Sequence, residues 1–108
     1  HIDILKRARE IIRSQANQAD NIENLLTELG LSYSRLRSLF RQAYGISPGE
    51  YRIQVRIENA CSLLETSELS IKTIADQLGY ADAFTFSKQF KQRVALSPQQ
   101  FRSHRYAP

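Results

Sequence analysis

One order of side chains occurs twice in this chain, and few folds accommodate that. Leu29-Gly30 corresponds to Leu78-Gly79, Phe40 to Phe90, Ser47-Pro48 to Ser97-Pro98, and Tyr51-Arg52 to Phe101-Arg102. The offset is 49 residues at Leu29/Leu78 and 50 at Phe40/Phe90. The single extra residue therefore falls in the turn after the glycine, where changes in length are tolerated. A stacked array needs three or so repeats to close its core, so two copies point to a pair of similar subdomains.

Each copy carries its own helical punctuation. In the second, Ile74, Ala75 and Leu78 lie at helical spacing and Gly79 follows them, in the place where a helix ends in the left-handed region. Asp82 then offers a carboxylate to the first amides of a new helix. Phe86, Phe90 and Val94 share one face of that helix. Two helices joined by a glycine turn, the second with one polar face, form a helix-turn-helix pattern.

Taken in order, the chain reads as all-α with about seven helices. Residues 2–18 are the first, with Ile2, Leu5, Ala8, Ile12 and Ala16 inward and Lys6, Arg7, Arg9 and Arg13 on a solvated face beside Asp3 and Glu10. Asp20 or Asn21 caps a second helix over 22–29, with Ile22, Leu25, Leu26 and Leu29 in the core. Ser32 caps a third over 33–44; Leu36, Leu39, Phe40 and Ala43 face inward, and Ser34, Arg37, Ser38 and Arg41 form a second, polar stripe. Arginines pair bidentately with guanine edges, and small hydroxyls permit close approach to a major groove.

Ser47-Pro48-Gly49-Glu50 has the residues of a capping box and opens a fourth helix that runs to 64–66. Ile53, Ile57, Ala60, Cys61 and Leu64 line one side of it, while Tyr51, Val55 and Leu63 point elsewhere. A helix apolar on more than one side touches two bodies, which makes it the connector. At about 20 residues it is roughly 30 Å long, near the ~34–36 Å of one turn of B-DNA. Arg52 and Arg56 on it meet either phosphates or carboxylates of the flanking subdomains.

After a polar break, Ser70 caps a helix over 71–78, followed by a second reading helix over 83–94 with Phe84, Ser87, Lys88 and Lys91 outward and Thr85 beside them. Phe84 either meets thymine methyls or packs into the turn. Ser97-Pro98 starts the last helix, with Phe101 inward and Arg102, His104 and Arg105 outward. The expected division is a first subdomain over 1–46, a connecting helix over 47–66 and a second subdomain over 67–108.

Charge distribution sharpens the picture more than the net charge of +4 does. No acid occurs between Glu28 and Glu50, a span that holds Arg35, Arg37 and Arg41, and none after Asp82, a span that holds Lys88, Lys91, Arg93, Arg102 and Arg105. Both reading helices thus lack the charges that repel phosphate, and their bases supply affinity through counterion release. The candidate DNA-contacting residues are Ser34, Arg35, Arg37, Ser38 and Arg41 on the third helix and Phe84, Thr85, Ser87, Lys88 and Lys91 on the sixth.

Other classes fit poorly. The histidines, His1 and His104, lie near the two ends, and there is no Cys/His metal spacing, no phosphate-cradling glycine loop and no nucleophile elbow. No enzyme activity, metal or cofactor is expected. No apolar run approaches a membrane span, and the single cysteine, Cys61, fits a core position in a cytoplasmic protein. The competing reading is a helical protein–protein interaction module. A chain with no methionine that begins at His1 is expected to be an excised piece of a longer protein.

Ile74-Ala75, Leu78-Gly79-Tyr80, Asp82, Phe84, Phe86-Ser87-Lys88 and Phe90-Lys91, followed by Ser97-Pro98 and Phe101-Arg102, resemble the signature of the AraC/XylS family of bacterial transcription regulators. Arg56-Ile57, Ala60, Leu63-Leu64 and Thr66 resemble that family's connecting helix, and the similarity covers roughly residues 22–105. Where the family usually has glycine after the second reading helix this chain has Ala95, whereas the first copy keeps Gly45. The resemblance implies two homeodomain-like helix-turn-helix subdomains that read adjacent major grooves of double-stranded DNA at a promoter. It also implies contact with RNA polymerase, and an effector-binding or dimerisation domain upstream.

Overall fold

The computed structural model describes residues 1–106. Ala107 and Pro108, the end of the expected second subdomain, lie outside the described residues. Among the described residues there are seven α-helices, two short 3-10 turns and no strand. The helices are α1 (Ile2–Gln15), α2 (Ile22–Leu25), α3 (Tyr33–Tyr44), α4 (Pro48–Thr66), α5 (Ile71–Gln77), α6 (Ala83–Val94) and α7 (Pro98–Ser103). The chain divides into two compact units, His1–Val55 and Arg56–Pro108, and the division falls inside the continuous helix α4.

The first unit is built on a core of Leu5, Ala8, Ile11, Ile12, Leu25, Leu26, Leu36 and Phe40. Helix α1 lends its inward stripe as the spacing predicts, but it stops at Gln15 rather than 18. Ile2, expected inward, is 70 % exposed. It lies in the first turn, ahead of Ile4, which packs against the core, and of Leu5, the first buried side chain. The second helix also departs from expectation. Instead of one helix over 22–29 there is a single α turn, then a 3-10 turn over Thr27–Leu29. The amide of Leu26 is shared between the carbonyls of Ile22 and Glu23, and the Thr27 hydroxyl donates to the Glu23 carbonyl at 3.0 Å. A threonine hydroxyl in competition for a helix carbonyl tightens the last turn. Of the two cap candidates it is Asn21 that accepts, from the amide of Asn24 at 2.8 Å.

The second unit buries Ala60, Leu64, Ile74, Ala75, Leu78, Phe86 and Phe90. Its rings form a chain from Tyr80 to Phe86, Phe90 and Phe101, with centroids 5.2, 5.8 and 5.6 Å apart. Such tilted and edge-on contacts add to the area the rings remove from water. Helix α5 closes in a Schellman motif: the amide of Tyr80 donates to Ala75 at 3.0 Å and that of Gly79 to Asp76 at 3.1 Å. That geometry requires φ = 88° at position 79, which glycine adopts without a Cβ clash.

The caps follow the sequence. Ser47 accepts from Glu50 at 3.2 Å, Ser70 from Thr73 at 3.0 Å, and Ser97 from Gln100 at 3.1 Å. At Ser97 the box closes in both directions, because Gln100 Oε1 accepts the Ser97 amide at 3.0 Å. The far end of α4 is closed from a distance. Arg102 and Arg105, expected outward, are half-buried. Arg105 donates to the carbonyls of Leu64 and Ser67 at 3.0 and 2.9 Å, Arg102 adds bonds to the same two oxygens at 3.4 and 3.3 Å, and Arg105 also pairs with Glu68. The last carbonyls of a helix have no partner within it and carry the negative end of its dipole. Two guanidiniums meet both needs, which is why these arginines turn inward. His104 is exposed, as expected.

Helices α3 and α6 end alike but not at equal cost. Gly45 has φ = 82° and Ala95 has φ = 72°. Each amide there donates to the carbonyl four residues back, Arg41 at 2.8 Å and Lys91 at 2.9 Å. Ala95 is the only non-glycine residue with positive φ among the described residues. Replacing Ala95→Gly should raise the stability of the second unit by about 0.5–1 kcal/mol. Gly45→Ala, where an added Cβ meets nothing within 4 Å, should lower that of the first by about 1 kcal/mol through backbone strain alone. Urea unfolding of the two variants checks both signs.

Candidate nucleic-acid interface

The orientation of each reading helix follows from what it buries. On α3, Leu36 and Phe40 are at 1 % and 0 % exposure; on α6, Phe86 and Phe90 are both at 0 %. Two anchors four residues apart fix a helix about its own axis. On α3 this leaves Ser34, Arg35, Arg37, Ser38 and Arg41 all exposed. Ala43, expected in the core, is exposed as well. Leu39 and Tyr44, near it on the helix, are the residues that pack against the core there. On α6, Phe84, Thr85, Lys88 and Lys91 are exposed and Ser87 is half-buried. Phe84, at 76 %, does not pack into the turn.

The two stripes are alike in place and unlike in chemistry. Both helices have twelve residues, and the offset of 50 superposes Ser34 on Phe84, Arg35 on Thr85, Arg37 on Ser87, Ser38 on Lys88 and Arg41 on Lys91. At the middle pair the long base and the small hydroxyl change places. Their N-caps differ too. Ser32 accepts from Arg35 at 3.2 Å with a neutral hydroxyl, and Asp82 accepts from Thr85 at 2.6 Å with a carboxylate.

The bases divide into two groups. Arg7 pairs with Glu28 at 3.3 Å, Arg9 lies over the Tyr44 ring at 5.1 Å and Arg13 donates to the Tyr51 hydroxyl at 3.1 Å. Arg52 donates to the Asp20 backbone carbonyl, and Arg56, only 8 % exposed, lies over the Tyr80 ring at 5.2 Å. Of the two arginines expected to meet either phosphate or carboxylate, Arg56 is thus too buried to reach phosphate. Among the described residues, no ion pair engages Arg35, Arg37, Arg41, Lys88 or Lys91. Their charge remains available to an anionic partner.

Position in the fold adds one candidate that the sequence analysis does not name. Lys72 is exposed in the first turn of α5, on the rim of an open groove of about 590 Å³ that Thr73, Asp76, Tyr80 and Asp82 also line. In a helix-turn-helix unit the first helix crosses the nucleic-acid backbone. A base two residues after the Ser70 cap was the signal available in the sequence. The equivalent groove of the first unit, about 430 Å³, has Glu23 and Asn24 at its rim instead. Beside it burial raises the Tyr33 phenol above its ordinary range, against the opposing charge of Arg37. Burial likewise raises the Cys61 thiol, as does the charge of Glu65, which suits a half-buried packing residue.

The Thr85 amide holds the Asp82 carboxyl below the ordinary aspartate range. A depressed folded-state pKa means that the cap's contribution is complete above the unfolded value of about 3.9 and is lost as pH falls through the folded one. Asp82→Asn keeps an acceptor and removes the titration. The protection factors of amides in the first turn of α6, which correct for the intrinsic pH dependence of exchange, should therefore fall below pH ~4 in the parent and show less acid dependence in Asp82→Asn.

Comparison with known proteins bears on the family and the fold. A family model described as a helix-turn-helix domain matches residues 25–104. The Msm operon regulatory protein of Streptococcus mutans is 36 % identical over 98 residues, which cover 91 % of this chain and 35 % of that protein. The chain thus spans about a third of the length of such curated relatives. The C-terminal domain of AraT, a response regulator from Geobacillus stearothermophilus, has a TM-score of 0.89 at 35 % identity, covering 93 % of this chain and 84 % of that one. The DNA-binding domain of AdpA, a global transcriptional factor solved in complex with a target DNA, has a TM-score of 0.85 at 23 % identity, covering 92 % and 89 %. That last likeness is one of fold. No helix among the described residues is long and apolar enough to cross a membrane.

Proposed function

The chain belongs to the AraC/XylS family of helix-turn-helix transcription regulators, and from that premise we propose that it reads an asymmetric promoter operator with α3 and α6 in successive major grooves. The observation that carries this reading is the pair of acid-free stripes on two equivalent helices, exposed but for the half-buried Ser87, each with its bases outside any ion pair. The likeness in fold to the AdpA domain, which was solved on DNA, supports the choice of partner.

Arg37 is assigned to a guanine edge, where its planar fork matches two acceptors. Lys88 takes the corresponding role on α6, either at a base edge or at a phosphate. Arg35, Arg41, Lys91 and Lys72 are assigned to phosphates, where a point charge suffices, and Ser34, Ser38, Thr85 and Ser87 to close polar contacts. Because the stripes exchange base and hydroxyl at their centres, the two halves of the site differ in sequence, and one chain occupies it without a palindrome. The proposed division is a first subdomain over 1–46, a connecting helix over 47–66 and a second subdomain over 67–108. The protein is proposed to work in the cytoplasm, on the same polypeptide as an effector-binding or dimerisation domain and in contact with RNA polymerase. The greater length of the relatives supports the additional domain.

The experiment is selection of bound sites from random duplexes, then anisotropy titrations against salt. Binding should weaken steeply as salt rises. Arg37→Ala should cost about 1–3 kcal/mol and relax selectivity in one half-site; Lys88→Ala should weaken the other half. Lys72→Ala should lower affinity evenly across sequences and reduce the salt slope by about one. Binding without sequence preference, or footprints that neither Arg37→Ala nor Lys88→Ala alters, would overturn the proposal. Retention of a protein ligand with no affinity for duplexes would favour a helical protein-interaction module instead.

A further inference from the structure

We propose that Phe84 is the specificity-determining residue of α6 and reads the 5-methyl group of a thymine through apolar contact in the major groove. This rests on the DNA-reading role proposed above and names what one position of that site selects. Phe84 is the second residue of α6, and Ser34 is the second residue of α3. The same position of the fold therefore offers an apolar ring in one unit and a hydroxyl in the other. Apart from Ile2 in α1, Phe84 is the only large apolar side chain exposed among the described residues, at 76 %.

Nothing in the fold of its own unit explains that exposure. The core there already holds Phe86 and Phe90, and Phe84 is in neither the buried cluster nor the half-buried layer around it. An aromatic ring left in water forgoes the stabilisation that burial gives, whereas a polar residue there, as at Ser34, forgoes none. The neighbours narrow the choice of partner further. Asp82 holds an exposed carboxylate at the start of the same helix, and its charge opposes phosphate contact at that turn. The bases of α6, Lys88, Lys91 and Arg93, all lie at least one turn later. An uncharged, apolar feature facing the first turn is thus favoured over the sugar-phosphate backbone. Of the groups on the major-groove edges of unmodified base pairs, the thymine methyl is the apolar one. Cytosine methylated at C5 presents the same group.

The test uses the selected duplex from the titrations above. Each thymine is replaced in turn by deoxyuridine, which removes the methyl and leaves every hydrogen-bonding group in place. At one thymine or two in the half-site protected by the second unit, affinity should fall about fourfold, the worth of one buried methyl. The half-site read by α3, with Ser34 at the equivalent position, should tolerate the replacement. In Phe84→Ser the two duplexes should bind alike. In Ser34→Phe a new sensitivity to deoxyuridine should arise in the other half. Circular dichroism checks that both variants keep their helices, and both sites are exposed. A parallel series with 5-methyl-dC in place of each dC identifies the source of the methyl: no gain in affinity is expected. Deoxyuridine without effect at every position would overturn the proposal, even if Phe84→Ser weakens binding, since the ring would then act as a wedge between bases. A gain on cytosine methylation without a loss on deoxyuridine would overturn thymine as the source. Failure of the unsubstituted duplex to bind selectively is read first, and that outcome bears on the DNA-reading role rather than on Phe84.

Discussion

Each reading helix is held by two side chains four residues apart, Leu36 with Phe40 and Phe86 with Phe90, all but fully buried. That pair of anchors is the constraint on which the rest depends. A twelve-residue helix fastened at one point can roll; fastened at two points on one face, one turn apart, it cannot. Once rotation is fixed, the opposite face is fixed as well, and each outward side chain takes a defined direction. The anchors differ between the units, but the geometry they impose is shared. This is how unlike sequences come to present their stripes at equivalent positions.

Charge is apportioned with the same economy. Arginines in α1 and α4 are engaged in place, with a carboxylate, ring faces, a tyrosine hydroxyl and a backbone carbonyl. Arg102 and Arg105 close the carboxyl end of α4, at Leu64 and Ser67. The exposed ion pairs among these contacts add little stability. The larger effect is that these cations are occupied, and the bases outside ion pairs include those of the two stripes. At the amino end of α6 the balance differs from that of α3. Asp82 makes a short, charge-assisted cap, yet it places a negative charge at the edge of a surface that is otherwise cationic. Ser32 caps α3 without that charge.

Much of the fold was legible because it is punctuated locally. Serine, asparagine and aspartate caps act within three residues, and glycine turns act within a single one, so the caps at Ser32, Ser47, Ser70, Asp82 and Ser97 and the turn at Gly79 are where the sequence places them. The repeat made each identification in one copy a check on the other. What was misread depends on neighbours far along the chain or on competition within one turn. The inward turn of Arg102 and Arg105 answers carbonyls more than thirty residues earlier, which periodicity does not reveal. Ala43 and Ile2 have the right spacing for burial, but no part of the core covers them. The break after Leu25 turns on one threonine hydroxyl and a shared amide.

By itself the sequence determined the all-helical architecture, its duplication and the composition of the two outward stripes. Those are written in residues close together, through spacing, capping and the absence of acids. Which side chains of those stripes remain available was settled by packing in three dimensions. It exposed Phe84 where the sequence left two choices, half-buried Ser87, and buried Arg56 against Tyr80. The physical reason is that exposure belongs to the space around a side chain, and elements distant in sequence fill or leave that space.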